Sequence, residues 1–138
     1  MVGSKRLATQ VRSRARGRCE YCHLPERFSP IAHEIDRIVA EQHGGETVIE
    51  NLALACFADN HHKGPNIAGV DPKTRRKVWL FNPRRHKWTR HFRWHGATLL
   101  GRTPSGRATV ALLRINDPHR IALRLALMIE GVFPTTKS

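Results

Sequence analysis

An α+β fold in one small domain is what this chain predicts, and three observations carry the prediction. Its 138 residues, 40% of them hydrophobic, are enough for one modest core and too few for two. Two short apolar runs, HEIDRIVA (33–40) and NLALAC (51–56), read as extended pieces on either side of a polar, glycine-broken loop, EQHGGETVIE. Helical signals lie at both ends of the chain.

From Ser4 to about Gly17, Leu7, Val11 and Ala15 recur on one face with Arg12, Arg14 and Arg16 elsewhere, which predicts a short basic helix stopped by Gly17. RCEYCHLPE (18–26) follows as a tight turn carrying Cys19 and Cys22. After NLALAC, the polar run from Asp59 can open a helix, because aspartate and asparagine cap N-termini well. The segment PNIAGVDPKTRRKVWLFNPRRHKW (65–88) contains three prolines and several turn signals and predicts a long irregular connection wrapping the domain. HFRWHGATLLGR (91–102) reads as a strand pair or an extended return. Thr103 as N-cap with Pro104 at the first helical position begins one C-terminal helix. Asp117, Pro118 and a terminating Gly131 repeat that grammar in a second, whose Ile121, Leu125, Met128 and Val132 recur at helical spacing. Both helices are expected to be plain core.

Lysine and arginine outnumber aspartate and glutamate by 24 to 11, for a net charge of +13. A polyanion is the natural partner, since neutralising even about six phosphates releases enough counterions to make binding tight at low salt. A solvated basic surface with no dedicated ligand is the plainer alternative. In LFNPRRHKWTRHFRWHG (80–96) arginines alternate with aromatics, which suits stacking on bases and packing over a core equally well. No run approaches the roughly 20 apolar residues needed to span a bilayer, and the basic start lacks the apolar core of a signal peptide. A cytoplasmic location with no membrane partner is the expectation.

Three cysteines cannot all pair within a monomer, and metal ligation is the better use for them in a reducing compartment. Cys19 and Cys22 form a C-x-x-C pair, and Cys56 is the first half of another. The position that would complete it, three residues on, is Asp59. Carboxylate oxygen is a harder donor than thiolate, so a structural zinc held by Cys19, Cys22, Cys56 and Asp59 should be weaker than one held by four thiolates. His61 and His62 are alternative fourth ligands, and three free thiols in a small core are the other reading.

The stretch IDRIVAEQHGGETVIENLALACFADNHHKG (35–64) resembles the HNH endonucleases, small nucleases built on a ββα-metal motif. GPNIAGVDP, LFNPR, HFRW, GRTPSGRATVALLRIND and EGVFP extend the resemblance to a short bacterial HNH subfamily over nearly the whole chain. The resemblance implies a single nuclease-like domain over 1–138, with the core motif at about 19–64 and a wrapping segment and helices at about 65–134.

Phosphodiester hydrolysis needs a divalent ion to polarise the ester, a base to activate water and a positive charge near the developing anion. By resemblance, Asp36 is the acidic metal ligand, Asn60 the second ligand on the helix, Asn51 the residue that orients the general base and Lys63 a phosphate contact. Arg37 stands where the family has its general-base histidine. Arginine cannot accept a proton near neutral pH, and losing a positioned base costs a factor of about 10²–10⁴. His33 lies on the same strand roughly 13 Å away and cannot simply replace it, and His43 more naturally holds the QHGG loop.

The expected function is thus a metal-dependent DNA endonuclease acting on double-stranded DNA, weak because of Arg37, with Mg, Mn, Co, Ni or Zn as catalytic divalent cation and a weakened structural zinc. Arg37, Lys63, Arg84 and Arg85 are the expected nucleic-acid contacts, and a homodimer is among the expected states. The runner-up is a catalytically silent HNH-fold DNA-binding protein, and a third reading is a zinc-stabilised module on structured RNA.

Overall fold

The computed structural model describes residues 5–134. Ser4, the expected start of the first helix, lies outside them. Helix α1 (Lys5–Ala15) turns Val11 and Ala15 inward and ends where Arg16 and Gly17 enter the left-handed region. Strands β1 (Glu34–Arg37) and β2 (Leu52–Ala55) pair antiparallel, with Asp36 opposite Ala53 and Arg37 opposite Leu52. Every residue of β2 is buried. The period-2 alternation explains this: Leu52 and Leu54 meet Val11 and Ala15 of α1, while Ala53 and Ala55 face the cysteines.

Helix α2 (Phe57–Lys63) completes a ββα unit and starts earlier than Asp59. Its N-cap is Cys56, whose sulfur accepts from the Asp59 amide at 3.4 Å. Asp59 is thereby turned into the interior, with no exposure at all.

Segment 65–88 is more regular than its prolines suggest. Strands β3 (Ala68–Val70) and β4 (Lys77–Trp79) form a hairpin. The DPKT turn signal is what closes it: the Asp71 carboxylate accepts from the Lys73 amide at 3.0 Å and the Thr74 hydroxyl at 2.9 Å. A short helix α3 (Trp88–His91) leads into the antiparallel pair β5 (Phe92–His95) and β6 (Thr98–Gly101). Thr103 caps helix α4 (Pro104–Leu112), accepting from the Gly106 amide. A side chain at Gly106 would meet the His91 carbonyl at 2.2 Å, so only glycine lets α4 seat there.

Helix α5 (Pro118–Ile129) corrects the expectation of plain apolar core. It buries Arg120, Arg124 and Leu127, whereas Leu125 is 48% exposed. Burial is tolerable because both guanidiniums are satisfied: Arg124 donates to the Ala97 and Ile115 carbonyls, and Arg120 to the Leu113 and Arg114 carbonyls. Among the described residues, no helix is long and apolar enough to cross a membrane.

Candidate metal corner and catalytic motif

The turn after α1 and the N-terminus of α2 bring Cys19, Cys22, Cys56 and Asp59 together, all buried, with ligand atoms within 4.8 Å of one another. The Cys22 and Cys56 sulfurs are 3.7 Å apart, matching the tetrahedral edge of about 3.8 Å that Zn–S bonds of about 2.3 Å imply. Cys19 Sγ lies 3.1 Å from Asp59 Oδ2. The donor set therefore fits a soft divalent ion, and Asp59 occupies the fourth corner. His62 Nδ1 instead lies 2.8 Å from the Ala58 carbonyl, and His61 is exposed, stacked on Phe57.

Asp59 has a partner that sequence reading missed. Arg120 Nη2 donates to Asp59 Oδ1 at 2.8 Å and reaches to 3.7 Å from Cys56 Sγ. Burial and the neighbouring Cys22 push the Asp59 carboxyl up to about 7, while Arg120 pulls the other way. Burial raises the Cys19 thiol, and hydrogen bonds from Cys19 and Cys56 lower that of Cys22. The available signal for Arg120 was an arginine pair at i and i+4, Arg120 and Arg124, within an otherwise apolar helix.

The ββα unit places Asp36 and Lys63 against each other. Lys63 Nζ is 3.3 Å from both Asp36 carboxylate oxygens and also donates to the Arg37 and Ile38 carbonyls. The Tyr21 hydroxyl donates to Asp36 Oδ2 at 2.9 Å. Asp36 is 4% exposed and Lys63 1%. Burial raises the Asp36 carboxyl, opposed by Lys63 and Tyr21. Tyr21 lies inside the C-x-x-C turn, so the same turn serves both centres.

Arg37 ends β1 half-buried, its Nε donating to the Thr47 hydroxyl at 2.9 Å. Asn51 spends its amide on backbone: Oδ1 accepts from the Val39 amide, and Nδ2 donates to the Val39 and Glu46 carbonyls. Asn60 donates to Glu34 Oε1 at 2.7 Å. His33 is buried with Nε2 2.7 Å from the Leu24 carbonyl, and His43 lies in the exposed turn Glu41–His43.

Arg84 pairs with Glu20 and donates to the Leu52 carbonyl, while Arg85 is exposed. Both line an open groove of ≈ 950 Å³ that also reaches Asn51, Lys63 and Trp79.

Compared with known proteins, residues 19–66 match the family model described as HNH endonuclease. No curated protein and no solved structure matches the chain.

Proposed function

We propose, from the match of residues 19–66 to the HNH endonuclease family model, that this chain is a duplex-DNA-binding HNH protein whose hydrolytic step is crippled at one point, the proton acceptor. The observation that carries the reading is Arg37. It follows Asp36 in the chain, at the position where resemblance places the base, and its guanidinium lies against Thr47. The two histidines weighed as substitutes are placed otherwise: His33 is held in the interior by the Leu24 carbonyl, and His43 lies in an exposed turn.

The remaining parts are assigned as follows. A divalent ion on Asp36 and Asn60 would have to displace the Lys63 ammonium from the Asp36 oxygens and the Asn60 amide from Glu34, and when bound would polarise the phosphodiester and stabilise the leaving oxygen. Lys63 holds Asp36 in place. Asn51 clamps the loop 39–46 that flanks it. Cys19, Cys22, Cys56 and Asp59 would bind a structural zinc, with Arg120 offsetting part of the negative charge of three thiolates and a carboxylate on one ion.

A second reading keeps hydrolysis intact, with Arg37 touching the scissile phosphate. Its support is the position of the half-buried Arg37 at the end of β1, directly after Asp36 in the chain. Incubation of purified protein with supercoiled plasmid and Mg²⁺, Mn²⁺, Co²⁺, Ni²⁺ or Zn²⁺, alongside duplex binding by fluorescence anisotropy, separates the two. Binding with little or no nicking supports the first reading. Efficient metal-dependent nicking supports the second.

A further inference from the structure

We propose that the β3–β4 hairpin is a docking ribbon for double-stranded DNA, with Lys73, Arg75, Arg76 and Lys77 on phosphates and Trp79 packed against the groove wall. The proposal rests on the DNA-binding reading above and names a surface that the ββα motif does not contain.

Charge is the first argument. Four of the five residues 73–77 are cations, and all are exposed. The hairpin's one carboxylate, Asp71, is fully buried and held by both arms of Arg107 at 2.9 Å. Among the described residues, no carboxylate forms an ion pair with the four cations. Concentrated charge of one sign, with no ion pair to it among the described residues, complements a phosphate backbone.

Shape is the second. Ala68 pairs with Trp79 and Val70 with Lys77, so these four share one face, and Gly69 and Val78 share the other. Gly69 lies against Leu80 and Ala108 of α4, which leaves the first face in solvent. Trp79 is 67% exposed and Val70 55%. A large indole left in water among cations suits packing against the sugars and base edges of a DNA groove better than it suits a free surface. A two-stranded ribbon has strands about 4.8 Å apart and enters a major groove about 12 Å wide. The Asp71–Arg107 fork fixes the ribbon to α4, so little order is lost on docking.

Continuity is the third. The groove lined by Trp79 also reaches Arg84, Arg85, Asn51 and Lys63, so a duplex seated on the ribbon runs toward the ββα motif.

The test uses the full chain and a fluorescein-labelled duplex, with anisotropy read across a salt series. The triple variant Arg75→Gln, Arg76→Gln, Lys77→Gln is compared with a charge-matched triple outside the hairpin, Arg90→Gln, Arg93→Gln, Arg114→Gln. Thermal unfolding verifies that each variant is folded. With a slope of about 0.9 per phosphate, the hairpin triple should lower the slope of log K against log salt by about 2–3. It should also weaken binding at least about tenfold more than the control triple. Trp79→Ala should weaken duplex binding at least about fivefold, as loss of the apolar area an indole buries against the groove wall implies, and Arg76→Gln alone should lower the slope by about 1. Equal effects of the two triples, or tighter binding of a single strand that alone responds to Trp79→Ala, would overturn the ribbon. Wild-type protein without affinity for the duplex at low salt would overturn the DNA-binding reading itself.

Discussion

Asp59 has two partners at once, the cysteine corner and Arg120, and their demands can be separated by substitution. Asp59→Asn keeps the shape and removes the charge, leaving Arg120 buried without a counter-ion. In chelator-treated protein at about pH 8 or above, where the Asp59 carboxyl, pushed up to about 7, is ionised, this should cost about 3–5 kcal/mol, the usual penalty for breaking a buried pair, measured by denaturant unfolding. Asp59→Cys should instead tighten zinc, because thiolate outranks carboxylate as a zinc donor. Competition with a chromophoric chelator checks this, and unchanged affinity would remove Asp59 from the ligand set. Lys63→Met offers a parallel case: it strands the Asp36 carboxylate, which Lys63 approaches at 3.3 Å, and should also cost about 3–5 kcal/mol. The side chains of the metal corner were legible as spacing, since C-x-x-C and a residue three after Cys56 are positional signals. Arg120 was not, because nothing in a helical period says that a guanidinium 61 residues away in the chain will turn inward to a carboxylate.

At the scale of elements, the loop between β1 and β2 is held by one asparagine and one glycine. Asn51 makes three bonds to it, and a Cβ on Gly45 would lie 1.7 Å from the Val39 carbonyl oxygen and 2.9 Å from Asn51 Nδ2. Gly45→Ala must therefore displace the loop, and should destabilise by about 1–3 kcal/mol, as overpacking does. Urea unfolding measures it, and a neutral substitution would show that the loop is not clamped. The strands and caps here follow from local chemistry: β2 from its apolar run, α4 from Thr103 and Pro104. The β3–β4 hairpin was misread because proline and turn signals mark where a chain reverses without saying whether its flanks pair. The face of α5 was misread for a related reason. Ile121, Leu125, Met128 and Val132 keep a helical spacing, but the helix packs by the face whose polar groups find carbonyls and Asp59.

For the molecule as a whole, a net charge of +13 and a motif of assembled parts pull binding and hydrolysis apart. Raising salt from about 50 to about 200 mM should weaken duplex binding by orders of magnitude, about 10³–10⁵ for 6–10 phosphate contacts, whereas a flat response would remove the nucleic acid from the account. In the proposed reading, cleavage turns on a single position. Arg37→His supplies the missing proton acceptor next to Asp36 and takes a positive charge away from the ion's site. The most direct test is metal-dependent nicking of supercoiled plasmid by wild type and Arg37→His under identical conditions. Arg37→His should nick at least about 10²-fold faster, the lower end of what a positioned base contributes. Wild-type protein that already nicks well, slowed by Arg37→His, would contradict it and make the arginine a working catalytic group.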